Sequence, residues 1–436
     1  MTNDNNTKEI AEENILTKAI PISDRQHWFG PALVFAGLEF SIPVLMVGGS
    51  LIGTFGFKGM LPVVLFTFLV ITWIGNSICC YMGAKTGLSS SVIARQSFGD
   101  QQAKVIVAMV IGVLSMGWWA ITTATSGNAL CVILGIDYVT NRVGWVIVTT
   151  IVGLIFAIPS IFGFNAMKWT DYFAVPGGLL LCLVGVYLAL KNMGWNSIKN
   201  LQGDNSMTFA AGVTMVLGLN VSQLVLSADY SRHGKPKILD NILMPLGIIV
   251  IGVPLIIIGG IMGAGSGTAD IVMVMENLGF PIWGFLVLWL ASWSSQLINN
   301  YSMGLAFSNI LNVKTDEGRI KVTLIGTLLS IILTLLGILE HFQDFLNIAS
   351  LCYPAIAGVM FCDFFVRGHK KWKDKKGWNF IATIAFIVGI LVGYITAYKK
   401  PIGIPPIQSL LVAALVYYLG MKFQKSKAPN QFTEGF

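Results

Sequence analysis

Ser294 and Ser295 set two hydroxyls side by side inside a long apolar run. Acyl chemistry at a serine needs a base and an orienting acid. No such set accompanies them, because His27, His233, His341 and His369 all lie at the ends of apolar runs or between them. The same distribution leaves haem, di-iron and zinc centres without ligands. No GxxxxGK[ST] stretch exists to cradle a nucleotide phosphate, which excludes an ATP-driven pump. Two hydroxyls can instead join backbone carbonyls in an oxygen shell for a hard cation, if a neighbouring helix is unwound enough to free them. The bland alternative is that each serine bonds its own backbone or an adjacent helix. Glu39 is the one obvious acid deep in an apolar run; Asp229 and Asp363 lie near run ends. A proton-driven carrier would rely on such groups, so Glu39 keeps that alternative open.

The elements that must hold these groups are membrane helices. The chain has 436 residues, 55% of them hydrophobic and only 11% charged. Soluble domains carry about 25% charged residues, so a soluble enzyme is excluded. Continuous apolar runs, where an outer-membrane barrel would alternate polar and apolar residues, exclude that class too. Runs long enough to span a bilayer fall at about 29–54, 59–83, 103–135, 144–164, 171–191, 207–227, 239–265, 281–311, 320–340, 344–367, 377–397 and 404–424. These are numbered spans 1 to 12 below. Residues 1–28 and 425–436 read as tails around one transporter domain, 29–424. With twelve spans both tails share a side, and 22 of the 28 lysines and arginines then fall on it. That bias predicts a multi-pass protein of the cell membrane with both termini cytoplasmic. The net charge of +7 is thereby a topology signal and predicts no nucleic-acid partner. The basic loop from Arg367 to Lys376 reads the same way, with a lipid or regulatory patch as the alternative. The six cysteines lie in or beside apolar runs and read as small buried apolar residues. The amphipathic segment Asp270–Gly279 predicts a short helix lying over the bundle.

Three spans are interrupted. Span 1 holds Glu39, Pro43 and the pair Gly48-Gly49, which predicts a helix broken in mid-membrane. Span 6 carries Asn220, Ser222 and Gln223 at membrane depth. Span 8, from Ala291 to Ser302, is too polar to face lipid and must face protein or a wet cavity. Spans 1 and 6 are five apart. The expected fold is therefore all-α, about twelve transmembrane helices in a five-plus-five inverted repeat with helices 1 and 6 broken.

The stretch from Tyr81 to Gly99 (YMGAKTGLSSSVIARQSFG) resembles the loop after span 2 of nucleobase–cation symporter family 1, most nearly in its bacterial cytosine and purine permeases. Ser227 to Gly234 (SADYSRHG) and Gly304 to Ile310 (GLAFSNI) resemble that family's segments after span 6 and at the end of span 8. The resemblance implies alternating access and sodium or proton symport of a nucleobase or related heterocycle, with sodium as coupling ion, no cofactor, and a monomer in the bilayer. Carried over, the sodium site falls on the carbonyls of Gly37, Phe40 and Ala291 and the hydroxyls of Ser294 and Ser295. The stacking aromatic falls on Trp118. Substrate positions fall on Ser115, Leu219, Asn220, Ser222, Gln296 and Asn300; Gln296 and Asn300 share one helix face and offer amide donors and acceptors. The cytosine permeases carry glutamine at the position of Ser115, a serine–phenylalanine pair at Leu219-Asn220, and threonine at Glu39. Those departures predict a ring other than cytosine, bulkier or richer in N–H groups, with Glu39 a candidate acceptor. Glu39 could equally support the sodium site, carry a proton, or be paired within the fold. A channel, an intramembrane enzyme and a sodium-coupled amino-acid carrier are the competing classes; the carrier would need a cation or helix end for its substrate carboxylate.

Overall fold

The computed structural model describes residues 19–427 apart from Phe40, Gly163 and Lys314. It does not describe the side chains of Leu38, residues 159–175, Leu290–Ser292, Ser294, Ser295, Ile298, Tyr301, Asp316, Ser426 and Lys427. Among the described residues the chain is helical, with one isolated bridge between Gln26 and Gly234.

Span 1 runs Phe29–Glu39, breaks, and resumes at Ile42. Ser41 is extended, and Pro43 enters in the first turn of the second half, where its missing N–H costs no helix bond. Spans 1 and 2 are joined by a single sharp kink at Gly56, φ 64° and ψ 175°, inside Ile42–Phe66. A side chain there is disfavoured by the left-handed φ. Span 2 continues through a π-helical stretch, Thr67–Thr72, to Trp73–Thr86. Span 3 is Asp100–Gln102, Ala103–Val107 and Ala108–Ile133; spans 4 and 5 are Arg142–Phe162 and Phe164–Met193. Span 6 is Phe209–Asn220 and Gln223–Ser231, and span 7 is Ile238–Leu243 with Leu246–Ser266. Span 8 is the unbroken helix Ile282–Ile310. Spans 9 to 12 start at Asp316, Phe342, Phe380 and Pro405. The expected helix between spans 7 and 8 is Ile271–Leu278, capped by Asp270, whose carboxylate accepts from Val272 N (2.9 Å) and Met273 N (3.2 Å).

The packing exposes the repeat. Spans 1, 2, 6 and 7 pack on one another, and so do spans 3, 4, 8 and 9. Exchanging each span with the one five places away in the other half maps the 2–6 pair onto 7–1, and the 3–9 pair onto 8–4. The predicted all-helical fold with a five-plus-five plan is the one observed. Spans 1 and 7 cross backbone to backbone. A Cβ on Gly259 would lie 2.6 Å from Leu45 Cα, and one on Gly48 would lie 2.7 Å from Gly260 N. Small residues allow this approach between membrane helices. Gly259→Val is therefore expected to destabilise the fold by at least about 1–3 kcal/mol, since backbone cannot rotate away as a side chain can. A lowered unfolding temperature or loss of monodisperse protein measures it.

On the side shared by the two tails, the inner helix Ser90–Phe98 links spans 2 and 3. Its first N–H, on Ser90, donates to Asp229 Oδ1 of span 6 at 2.7 Å. The two longest stretches that carry the family likeness are thus physical partners. The basic loop after span 10 clasps the same helix: Arg95 Nη2 meets Asp374 Oδ2 at 2.6 Å, and Trp372 Nε1 donates to Val92 O at 3.2 Å.

Candidate functional site

Glu39 closes the first half of span 1 and is 5% exposed. Its Oε1 accepts from Asn220 Nδ2 at 3.5 Å. Asn220 Oδ1 in turn accepts from Thr72 Oγ1, at 3.3 Å, in the π-helical stretch of span 2. The carboxylate has room because span 7 carries Gly252 opposite it; a Cβ there would sit 2.7 Å from Oε1. The break of span 1 is thereby tied to the break of span 6 and to span 2. Pairing within the fold was one of the readings open to Glu39, and the structure turns its carboxylate toward Asn220. Thr72 gave no sequence signal, being one threonine in an apolar run.

The interruption of span 6 is a tightened turn. Val221 and Ser222 keep helical angles, and Leu224 N and Val225 N bond back three residues, to Val221 O (3.1 Å) and Ser222 O (3.0 Å). Leu219 and Ser222 are half-buried beside it.

Trp118 is half-buried on span 3, while Trp119 is completely buried. Phe345 of span 10 meets the Trp118 ring edge to face, with centroids 5.1 Å apart at 87°, and Phe342 stands at 6.2 Å. These two rings fix the indole plane. Gly117 makes the approach possible, since a Cβ there would collide with Phe345. Ser115, one turn away, is 8% exposed. Neither Phe342 nor Phe345 was singled out from the sequence.

Gln296 and Asn300 are fully buried on span 8. Gln296 Nε2 donates to Thr123 Oγ1 on span 3, and Thr123 donates to the Trp119 carbonyl at 2.8 Å. Asn300 Oδ1 accepts from Thr327 Oγ1 of span 9 at 3.0 Å. Both amides therefore bind the 3–8–9 scaffold, and Gln296 Oε1 has no hydrogen-bond partner among the described residues. Trp293 stacks on Phe156 of span 4, at 5.0 Å and 12°, and donates its Nε1 to Phe156 O at 3.3 Å. This ring pair sets the roll of span 8. Of the expected sodium ligands, Gly37 lies in the last turn of the first half of span 1, and Ala291 lies on the span 8 helix. Phe40 and the side chains of Ser294 and Ser295 lie outside the described residues. Among the described residues no three His, Cys, Asp or Glu side chains come together as a metal site.

Over the end of span 3, a cleft of about 350 Å³ opens against the helix Ile271–Leu278. Tyr138 donates from its hydroxyl to Glu276 Oε2 across it, at 3.4 Å. Burial pushes the Glu276 carboxyl above the usual carboxylate range, and the Tyr138 bond opposes that shift.

Comparison with known proteins supplies the frame for this geometry. Residues 23–420 match the family model described as permease for cytosine/purines, uracil, thiamine, allantoin. The cytosine permease of Escherichia coli (strain K12) is 27% identical over 416 residues, covering 94% of each chain. The inward-facing conformation of Mhp1 superposes with a TM-score of 0.77 at 20% identity, covering 94% of each chain. Mhp1 in a closed conformation with bromovinylhydantoin bound, described as a nucleobase-cation-symport-1 family transporter, superposes with a TM-score of 0.70 at 20% identity, over 96% of this chain and 97% of that one. A match over nearly the whole chain, joined to an all-helical fold among the described residues, makes this protein a member of the cytosine/purine permease family, a multi-pass membrane transporter and not an enzyme.

Proposed function

We propose that this transporter imports a planar nitrogen heterocycle by sodium symport through alternating access, with both termini cytoplasmic. The observation that carries the reading is Trp118, a half-buried indole face held by two aromatic braces on span 10. A flat ring gains stacking and dispersion on such a face. An amino-acid substrate would call for a cation or helix end instead. The bound hydantoin in Mhp1 is a small planar ring of the same kind. Sodium coupling draws on Gly37, Phe40, Ala291, Ser294 and Ser295, where the interruption of span 1 and a hydroxyl pair on span 8 offer oxygens. Alternating access draws on the two four-helix groups, each packed within itself and so able to move as a body. The excess of lysine and arginine on the tail side supports the topology. A thermal-shift screen of purines, pyrimidines, hydantoins and vitamin precursors, with and without sodium, tests the whole reading. A ligand should raise the unfolding temperature by mass action, and more so with sodium. No shift from any planar ring would overturn it.

The substrate is expected to be a ring other than cytosine. Ser115 is shorter than the glutamine of the cytosine permeases, and Leu219 offers no side-chain hydrogen bond. Asn220 is occupied at both ends, by Glu39 and Thr72. A site built for one pattern of donors and acceptors discriminates strongly against another. In competition for the ring found by the screen, guanine, hypoxanthine or a hydroxymethyl-aminopyrimidine should outcompete cytosine. Cytosine winning at micromolar concentration would refute this.

A further inference from the structure

The loop between spans 10 and 11, from Arg367 to Asn379, carries six lysines and arginines and one acid. A loop that only fixes topology needs charge and no structure. This one is folded along its length. The π-helical end of span 10, Cys362–Arg367, closes through Gly368 N to Asp363 O (2.7 Å) and Lys370 N to Phe364 O (2.9 Å). His369 and Lys370 turn the chain with φ 47° and 64°, the left-handed region that side chains seldom enter. Beyond the turn the backbone is pinned to the inner helix and the start of span 3. Lys373 N donates to Gln96 Oε1 (3.1 Å), Gly377 N to Asp100 Oδ1 (2.6 Å) and Asn379 N to Phe98 O (3.0 Å), while Asp100 N donates back to Lys375 O (2.8 Å). Gly99 and Gly377 meet so closely that a Cβ on Gly99 would collide with Gly377 O. The one acid, Asp374, is engaged by Arg95, and Lys370 Nζ stands 5.9 Å over the Tyr81 ring of span 2. Lys371 and Lys376 are exposed. Next to them in the chain stand two exposed rings, Trp378 at 47% and Phe380 at 72%, stacked at 6.5 Å and 22°. Trp378 Nε1 donates to Gln101 Oε1 at 2.9 Å, which fixes the indole, and Phe380 opens span 11. The rings therefore stand where a helix enters the bilayer, the depth that aromatic residues favour. A soluble phosphate compound would meet the lysines and leave the rings in water. A phospholipid covers both.

We propose that the loop between spans 10 and 11 is a binding surface for anionic phospholipid headgroups on the tail side of the bilayer. Lys371 and Lys376 meet the headgroup phosphate, and the Trp378–Phe380 pair lies against the glycerol and the first carbons of the acyl chains. The bound lipid also acts on the fold. The loop is pinned to the inner helix Ser90–Phe98, which links span 2 of one four-helix group to span 3 of the other and holds span 6 through Asp229. A ligand that binds the folded loop alone stabilises it by mass action, and with it the joint between the two groups. The proposal goes beyond substrate and coupling ion and needs neither.

The test uses the full chain in nanodiscs of phosphatidylcholine with a rising share of phosphatidylglycerol. The unfolding temperature should climb with the anionic share. In the double variant Lys371→Gln, Lys376→Gln the share needed for half of that rise should increase by about fivefold for each lysine removed. Lys371→Arg with Lys376→Arg keeps the charge and should respond as the wild type does. Lys235→Gln with Lys237→Gln removes the same charge from the loop after span 6, on the same side, and should also respond as the wild type does. Hydrogen–deuterium exchange needs no variant: the amides of Lys373, Gly377 and Asn379 should exchange several-fold more slowly in anionic than in neutral nanodiscs. Glycerol phosphate added to neutral nanodiscs should change neither reading. An equal loss of response in the two glutamine variants would overturn the proposal, since general surface charge would then account for the effect. A rise produced by glycerol phosphate would replace the lipid by a soluble ligand. Unchanged exchange at the three amides would place the lipid elsewhere.

Discussion

Replacing Ser294 and Ser295 together by alanine should weaken the sodium dependence of uptake by orders of magnitude while leaving the protein folded. In the proposed site the two hydroxyls are the only side-chain ligands. The remaining oxygens, from Gly37, Phe40 and Ala291, belong to the backbone and survive the substitution. A sodium ion held by five oxygens in a low-dielectric interior loses two of them, and each lost ion–dipole contact is worth far more there than in water. Membrane serines that merely bond their own helix would behave otherwise: their loss changes stability slightly and leaves the sodium response untouched. The measurement is initial uptake against sodium concentration in proteoliposomes, with substrate fixed. A double variant whose sodium activation matches the wild type would remove the site from span 8 altogether. The spacing of the serines on an unbroken helix, Ile282–Ile310, makes the experiment clean, because alanine is a better helix former than serine and does not disturb the backbone carbonyl of Ala291.

Trp118→Ala should weaken substrate binding by about 5- to 150-fold, the equivalent of about 1–3 kcal/mol of stacking on one aromatic face. Trp118→Phe should retain part of it, since the π face carries the interaction. The braces sharpen this expectation. Phe345 holds the indole edge-on at 5.1 Å, so Phe345→Ala should loosen the ring and cost a smaller factor without removing the face. Isothermal titration with the ring found by thermal shift reads all three. Normal affinity in Trp118→Ala would return this tryptophan to a packing role, like the fully buried Trp119 beside it.

Much of this architecture was legible in the residues. Apolar run lengths and the lysine–arginine bias give twelve spans, and Pro43 after Ser41 marks where span 1 restarts. The polar triplet Asn220, Ser222 and Gln223 marks the interruption of span 6. Its form was not legible: a tightened turn and an unwound segment use the same residues, and only the angles at Val221 and Ser222 tell them apart. The shared face of Gln296 and Asn300 follows from their spacing of four. Their partners do not, because Thr123 lies 173 positions from Gln296 and nothing local encodes that meeting. Glu39 shows the same limit. Its chemistry was plain from the sequence, while its engagement with Asn220 depends on a contact across 181 residues. The braces on Trp118 were hidden for a different reason, since phenylalanines on an apolar span look like lipid-facing or core residues alike.

The five-plus-five packing also governs how the protein is made. Spans 1 and 2 find their partners in 6 and 7, and spans 3 and 4 find theirs in 8 and 9. During synthesis the first five helices must therefore wait in the bilayer with Glu39 and Thr72 short of their partner Asn220 until the second half emerges. Contacts of such sequence separation close late and slowly, and exposed polar groups in lipid invite wrong partners meanwhile. Assembly of this chain is therefore a docking of two halves, and a ribosome stalled after span 5 would leave a fragment that quality-control proteases can recognise by those same side chains.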